Sequence, residues 1–125
     1  MKKIIQTSNA PAAIGPYSQA VEANGMLFVS GQVPVDPATG KVVEGGIKEQ
    51  TEQVLKNIGA ILQEAGYTYN DVVKSTCFLS DMTHFGAMNE VYAYVYKENP
   101  PARAAFAVKE LPLGVLIEIE TIAIH

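Results

Sequence analysis

Only two stretches of this 125-residue chain repeat apolar side chains at helical spacing, against six that read as β-strands. Ile47, Thr51, Val54, Leu55, Ile58, Ile61, Leu62 and Ala65 fall on one stripe of a helix that follows Gly45-Gly46 and ends at Gly66. Phe85, Met88, Tyr92, Val95 and Tyr96 form a second stripe, with Asp81 or Thr83 placed to cap it and Asn99-Pro100-Pro101 to stop it. Two helices can cover only one face of a six-stranded sheet. The other face must be wet or buried against another copy. Its apolar content points to the second, so a closed homo-oligomer is expected.

The strands follow from alternation and from turn residues. Ile4, Ile5 and Gln6 read as a short edge strand, and Ala10 to Pro16, with two prolines and a glycine, as a loop. Tyr17 to Ala23 and Met26 to Ser30 flank Asn24-Gly25, a dipeptide suited to the positive φ angles of a type I′ hairpin turn. Gly31 to Gly40 reads as a second loop. Val72 to Leu79, Ala102 to Val108 and Val115 to Ile124 complete the set. The order β-β-β-α-β-α-β-β fits an α+β class and one domain over residues 1–125. A chain of this length buries roughly two thirds of its unfolded surface.

Composition narrows the function. The net charge is −4 and no run of lysines exceeds two, so the basic footprint of a nucleic-acid binder is missing. The two histidines, His84 and His125, are far apart, and no Cys/His spacing resembles a metal site. No Walker loop or GxGxxG follows a strand, so neither a metal nor a nucleotide cofactor is expected. Neither a targeting peptide nor a membrane span is visible. The single cysteine, Cys77, fits a reducing compartment, most simply the cytoplasm.

The chain has one arginine, Arg103, within Pro100-Pro-Ala-Arg-Ala-Ala-Phe-Ala-Val108. An unpaired guanidinium among apolar groups is costly, and its planar fork suits a carboxylate held by two hydrogen bonds. Small alanines beside it leave room for a ligand; the alternative is a salt bridge to Glu118 or Glu120. Those acids share one face of the last strand with Leu116, Ile122 and Ile124, whereas Ile117, Ile119, Thr121 and Ala123 share the other. Mutual repulsion raises the pKa of one, as general acid–base work requires, unless both lie in a wet patch or pair with lysines. Tyr17, after Ile14-Gly15-Pro16, is placed either at a pocket mouth or as a half-buried strand residue. Ser30-Gly31 allows close backbone approach or simply makes a turn. Asn89, beside the second stripe, needs polar partners. Cys77 reads as a buried, inert thiol.

The ordered set Asn9-Ala-Pro-Ala-Ala-Ile-Gly-Pro-Tyr-Ser-Gln19, Ser30-Gly-Gln-Val-Pro34, Pro101-Ala-Arg103, Leu111-Pro112 and Ile117-Glu-Ile-Glu120 resembles the RidA (YjgF/YER057c) family of 2-iminobutanoate/2-iminopropanoate deaminases. The resemblance covers essentially the whole chain. It implies a chorismate-mutase-like fold, a six-stranded mixed sheet with two helices on one face, assembled as a homotrimer with sites between subunits. It implies hydrolysis of reactive 2-imino acids, formed from 2-aminoacrylate or 2-aminocrotonate in settings such as isoleucine biosynthesis, to 2-oxo acids and ammonia. In that frame Arg103 holds the carboxylate and Glu118 orients water. Tyr17, Ser30, Gly31, Asn89 and the backbone of Ala105 line the pocket. No cofactor is implied.

The chain departs from the family pattern in two places. Ala104 and Ala105 stand where many members carry a hydroxyl and then a thiol, and an aromatic residue found in some relatives before Pro101 is missing. Two rival functions remain from these residues. One is a non-catalytic, carboxylate-binding or chaperone-like trimer, whose signature would be loss of the acid at position 118. The other, disfavoured by the acidic charge, is an endoribonuclease.

Overall fold

Asn24 and Gly25 adopt φ angles of 52° and 74°, and the turn they make joins strands β2 (Ala20–Ala23) and β3 (Met26–Gln32). Positive φ at both central residues matches the turn to the twist of the strands, which is why Asn-Gly works here. The computed structural model describes residues 1–125. In chain order the remaining elements are β1 (Lys3–Ile5), β4 (Val35–Asp36), β5 (Lys41–Val42), α1 (Ile47–Ala65), β6 (Val72–Leu79), α2 (Phe85–Val95), β7 (Ala102–Ala107) and β8 (Ile117–Ile124).

Six strands form one sheet in the order β1-β2-β3-β8-β6-β7. All neighbours are antiparallel except β6 and β7, which run parallel because α2 carries the chain between them. Both helices pack on one face. There Val54, Leu55, Ile58, Ile61 and Leu62 of α1 and Met88, Val91 and Tyr92 of α2 meet Leu27, Cys77, Leu79, Ile117 and Ile119 of the sheet. The opposite face keeps Phe28, Val73, Phe106 and Ile124 exposed at 42–47%.

The expected faces of β8 hold: Ile117, Ile119, Thr121 and Ala123 are buried under the helices, and Glu118 and Glu120 point the other way. Three local expectations change, and one strand carries an irregularity. Tyr17 to Gln19 is not strand, because the buried Gln19 amide is taken up by Thr7, Ala10 and Pro11, and β2 starts only at Ala20. The segment after Gly31 is not all loop, since β4 and β5 pair as a small ribbon. A shift in pairing between Val72 and Lys74 turns Val73 outward, away from Ser75. The last strand begins at Ile117 instead of Val115, after a 3₁₀ turn over Pro112–Gly114. The second helix is entered through a 3₁₀ turn capped by Asp81, whose Oδ1 accepts from the Thr83 amide at 2.8 Å.

Two buried amides of α1 brace the parts of the sheet that reach the site. Asn57 Nδ2 donates to the carbonyls of Val33 (3.2 Å) and Val35 (3.0 Å), fixing the chain after Gly31. Gln50 Oε1 accepts from the Leu116 amide at 2.8 Å, fixing the start of β8. No helix is long and apolar enough to cross a membrane. Replacing Asn57 by Ala strands two carbonyls and is expected to cost about 2 kcal/mol of unfolding free energy. Urea titrations check this against the exposed control Glu52→Ala; equal midpoints for the two variants would refute the brace.

Candidate active site

β7 is one of the two edge strands, and its pairing with β6 sets Arg103 opposite Ser75, which in turn faces Thr121 of β8. Ser75 and Thr121 are buried beneath the helices, so Arg103 shares that side of the sheet. The guanidinium reaches α2, where Nη1 donates to Asn89 Oδ1 at 2.8 Å. The ring faces of Tyr92 and Phe85 lie 4.9 and 5.4 Å from its central carbon. It forms no salt bridge: the one ion pair in the chain is Lys48–Glu90 at 2.7 Å, between exposed positions of α1 and α2. The salt bridge to Glu118 or Glu120 open from the sequence is therefore absent. Beside Arg103 opens a cleft of about 490 Å³ lined with Asn89, Tyr92, Tyr96, Pro100 and Pro101. A cation with donors to spare next to a void can take an anion.

Glu118 is placed differently. It pairs with Phe78 on the exposed sheet face, next to Gly31 of β3. A β-carbon on Gly31 would overlap Glu118 Oε2, so only glycine lets this carboxylate lie over the strand. The close approach expected at Ser30-Gly31 thus comes from the chain's own acid. Burial first, and Glu120 second, push Glu118 above the usual glutamate range. Ser30 Oγ donates to the Ser18 carbonyl at 2.6 Å and its amide donates to Gln19, which ties β3 to the loop bearing Tyr17. Tyr17 is 51% exposed and borders a separate cleft of about 570 Å³ along β1.

The seven candidate residues therefore fall into two groups. Arg103, Asn89 and Ala105 lie at the β7 edge under α2; Glu118, Gly31, Ser30 and Tyr17 lie at the β3–β8 side. Arg103 and Glu118 stand two strands and three residues apart, roughly 14 Å between backbones at ordinary strand spacings, and on opposite faces. No small ligand can touch both in one chain. Cys77 pairs with Ala105 and is buried, which pushes its thiol up to about 11 despite the nearby Arg103 charge. It is no nucleophile at neutral pH. No group of three or more His, Cys, Asp or Glu side chains is arranged to hold a metal ion. The aromatic contacts to Arg103 were not read from the sequence, although Phe85, Asn89 and Tyr92 at positions i, i+4 and i+7 carried the signal.

A family model described as Endoribonuclease L-PSP matches residues 7–125. A 2-iminobutanoate/2-iminopropanoate deaminase of Mus musculus is 50% identical over 100% of this chain and 93% of its own. The chain belongs to the RidA/YjgF family. A RutC family protein of Pyrococcus horikoshii is 58% identical over 98% of both chains. A crystal structure from Thermotoga maritima superposes with a TM-score of 0.98 at 51% identity, covering 100% of this chain and 98% of that one. The mixed sheet with two helices on one face is the fold of these RidA/YjgF relatives.

Glu118 ionises less readily in the folded chain than in the unfolded one. The stability contributed by its protonated form is complete below the ordinary glutamate value of 4.5 and is lost as pH rises through the higher folded value. Glu118→Gln should remove that loss, so the variant gains on the parent as pH rises from about 4 to 7. Urea midpoints across this range measure it. A constant difference between the two proteins would contradict the shifted carboxyl.

Proposed function

We propose that the chain is an enzyme that hydrolyses 2-imino acids to 2-oxo acids and ammonia, with Arg103 as the carboxylate anchor and Glu118 as the acid–base group. The activity is that named for the mouse relative. The observation that carries the reading is the Arg103 fork, held by Asn89, without a carboxylate partner and beside an open cleft.

Arg103 would fix the substrate through its carboxylate and present C2 of the protonated imine for attack, which turns hydrolysis into an oriented reaction. Glu118, as carboxylate, takes a proton from water as the oxygen adds to C2 and the C=N bond becomes single. The protonated Glu118 then returns that proton to the nitrogen. The C–N bond breaks with its electrons on nitrogen, the hydroxyl proton passes through Glu118 to the departing ammonia, and a 2-oxo acid and ammonium leave with Glu118 again a carboxylate. A carboxyl group with a raised pKa serves both directions of this transfer.

Because one chain separates Arg103 from Glu118, the reading includes a closed homo-oligomer, a trimer as in the family resemblance. In it the β7 edge of one copy meets the Gly31–Glu118 side of the next. The exposed Phe28, Phe106 and Ile124 face supports such contact. Tyr17 and Ser30 then close the ligand crevice from the acid's side, and the Ala105 backbone from the arginine's side. Residues 1–125 act as one domain in this account, in the reducing cytoplasm.

The test generates 2-iminobutanoate in the cuvette from a dehydratase reaction and follows its decay. The parent must outpace buffer. Glu118→Gln should lower kcat by about 10²-fold or more. Arg103→Lys, which keeps charge but loses the fork, should lower kcat/KM by a similar factor of about 10². Full activity in both variants would overturn the reading. RNA cleavage by the purified parent, sensitive to salt, would favour the ribonuclease that the family description names.

A further inference from the structure

Three side chains at consecutive turns of α2 surround the Arg103 guanidinium, and only one of them takes a donor. Asn89 Oδ1 accepts from Nη1 at 2.8 Å. Tyr92 and Phe85 present ring faces to the central carbon at 4.9 and 5.4 Å. A ring face attracts a cation without using its N–H groups. Two such faces restrict the plane of the guanidinium and leave the remaining donors for an incoming carboxylate. The Tyr92 hydroxyl is buried and makes no hydrogen bond to Arg103, whose side chain donates only to Asn89, so the ring alone is what this residue supplies to the guanidinium.

We propose that Phe85 and Tyr92 are positioning residues for carboxylate binding, setting the plane of Arg103 through their ring faces. The inference rests on Arg103 being the substrate anchor proposed above. An arginine at an edge strand has many rotamers, and a bidentate contact demands one of them. The aromatic pair fixes that geometry before the ligand arrives, so its loss weakens binding more than it slows the chemical step.

Phe85→Leu, Tyr92→Leu and Tyr92→Phe are compared by calorimetric titration with 2-oxobutanoate, by steady-state kinetics on in situ 2-iminobutanoate, and by Tm. Each leucine variant should raise both Kd and KM by about three- to tenfold, the range for a lost cation–π contact, with kcat changed less. Tyr92→Phe should match the parent within about twofold, because it keeps the ring. Phe85 is only partly buried, so its variant reports even where Tyr92→Leu folds poorly. Leucine variants with lowered Tm but parental Kd and KM would overturn the proposal, as would Tyr92→Phe losing as much binding as Tyr92→Leu. If the parent binds 2-oxobutanoate and the leucine variants bind it weakly, yet no protein hastens imine decay, the deaminase reading fails and the positioning role stands.

Discussion

The row Thr121–Ser75–Arg103, drawn across three neighbouring strands, decides where the charges of this molecule face. Side chains in a strand alternate, so burying Thr121 and Ser75 under the helices commits Arg103 to the helix side. The same alternation commits Glu118, three positions before Thr121, to the other side. A one-residue slip of β7 would turn Arg103 away from the helices, and a one-residue slip of β8 would turn Glu118 beneath them. The register of β6 is in turn held by burial of Cys77 and Leu79 against Ile119 and Ile117. Hydrophobic packing thus sets the electrostatics of the site.

Each half of the site has its own support. On the arginine side, α2 supplies a hydrogen bond and two ring faces, and the edge position of β7 keeps the cleft open. On the acid side, Gly31 makes space for Glu118, and Ser30 and Gln19 fasten the Tyr17 loop to β3. Asn57 and Gln50 of α1 connect this side to the core. The acid is half-buried beside a like charge, a costly arrangement that stability alone does not explain. The proposed acid–base role accounts for it.

Much of this was legible in the residues. The Asn24-Gly25 hairpin, the α1 stripe from Ile47 to Ala65 and the two faces of β8 follow from local periodicity and turn chemistry, and each has its expected form. The lone arginine among alanines and the paired glutamates flagged the charged groups that the proposed reaction uses. What local pattern missed were features set by distant partners. Tyr17 to Gln19 alternates like a strand, yet Gln19 is drawn to Thr7 and Ala10 across the loop. Val73 alternates with Ser75, but the bulge against β8 turns it outward. The facing of Arg103 depends on the parallel pairing that α2 imposes between β6 and β7, which no window of sequence around position 103 contains.

The account stands on one ligand being shared between the arginine of one copy and the glutamate of another. Two disabled proteins, Arg103→Ala and Glu118→Gln, can be unfolded together at equal concentration, refolded and assayed for imine hydrolysis. Random reassembly makes intact Arg103–Glu118 pairings at about one interface in four, so the mixture should recover about a quarter of parental activity while each protein alone stays inactive. A refolded mixture that co-assembles and yet remains as inactive as its components would contradict the shared site.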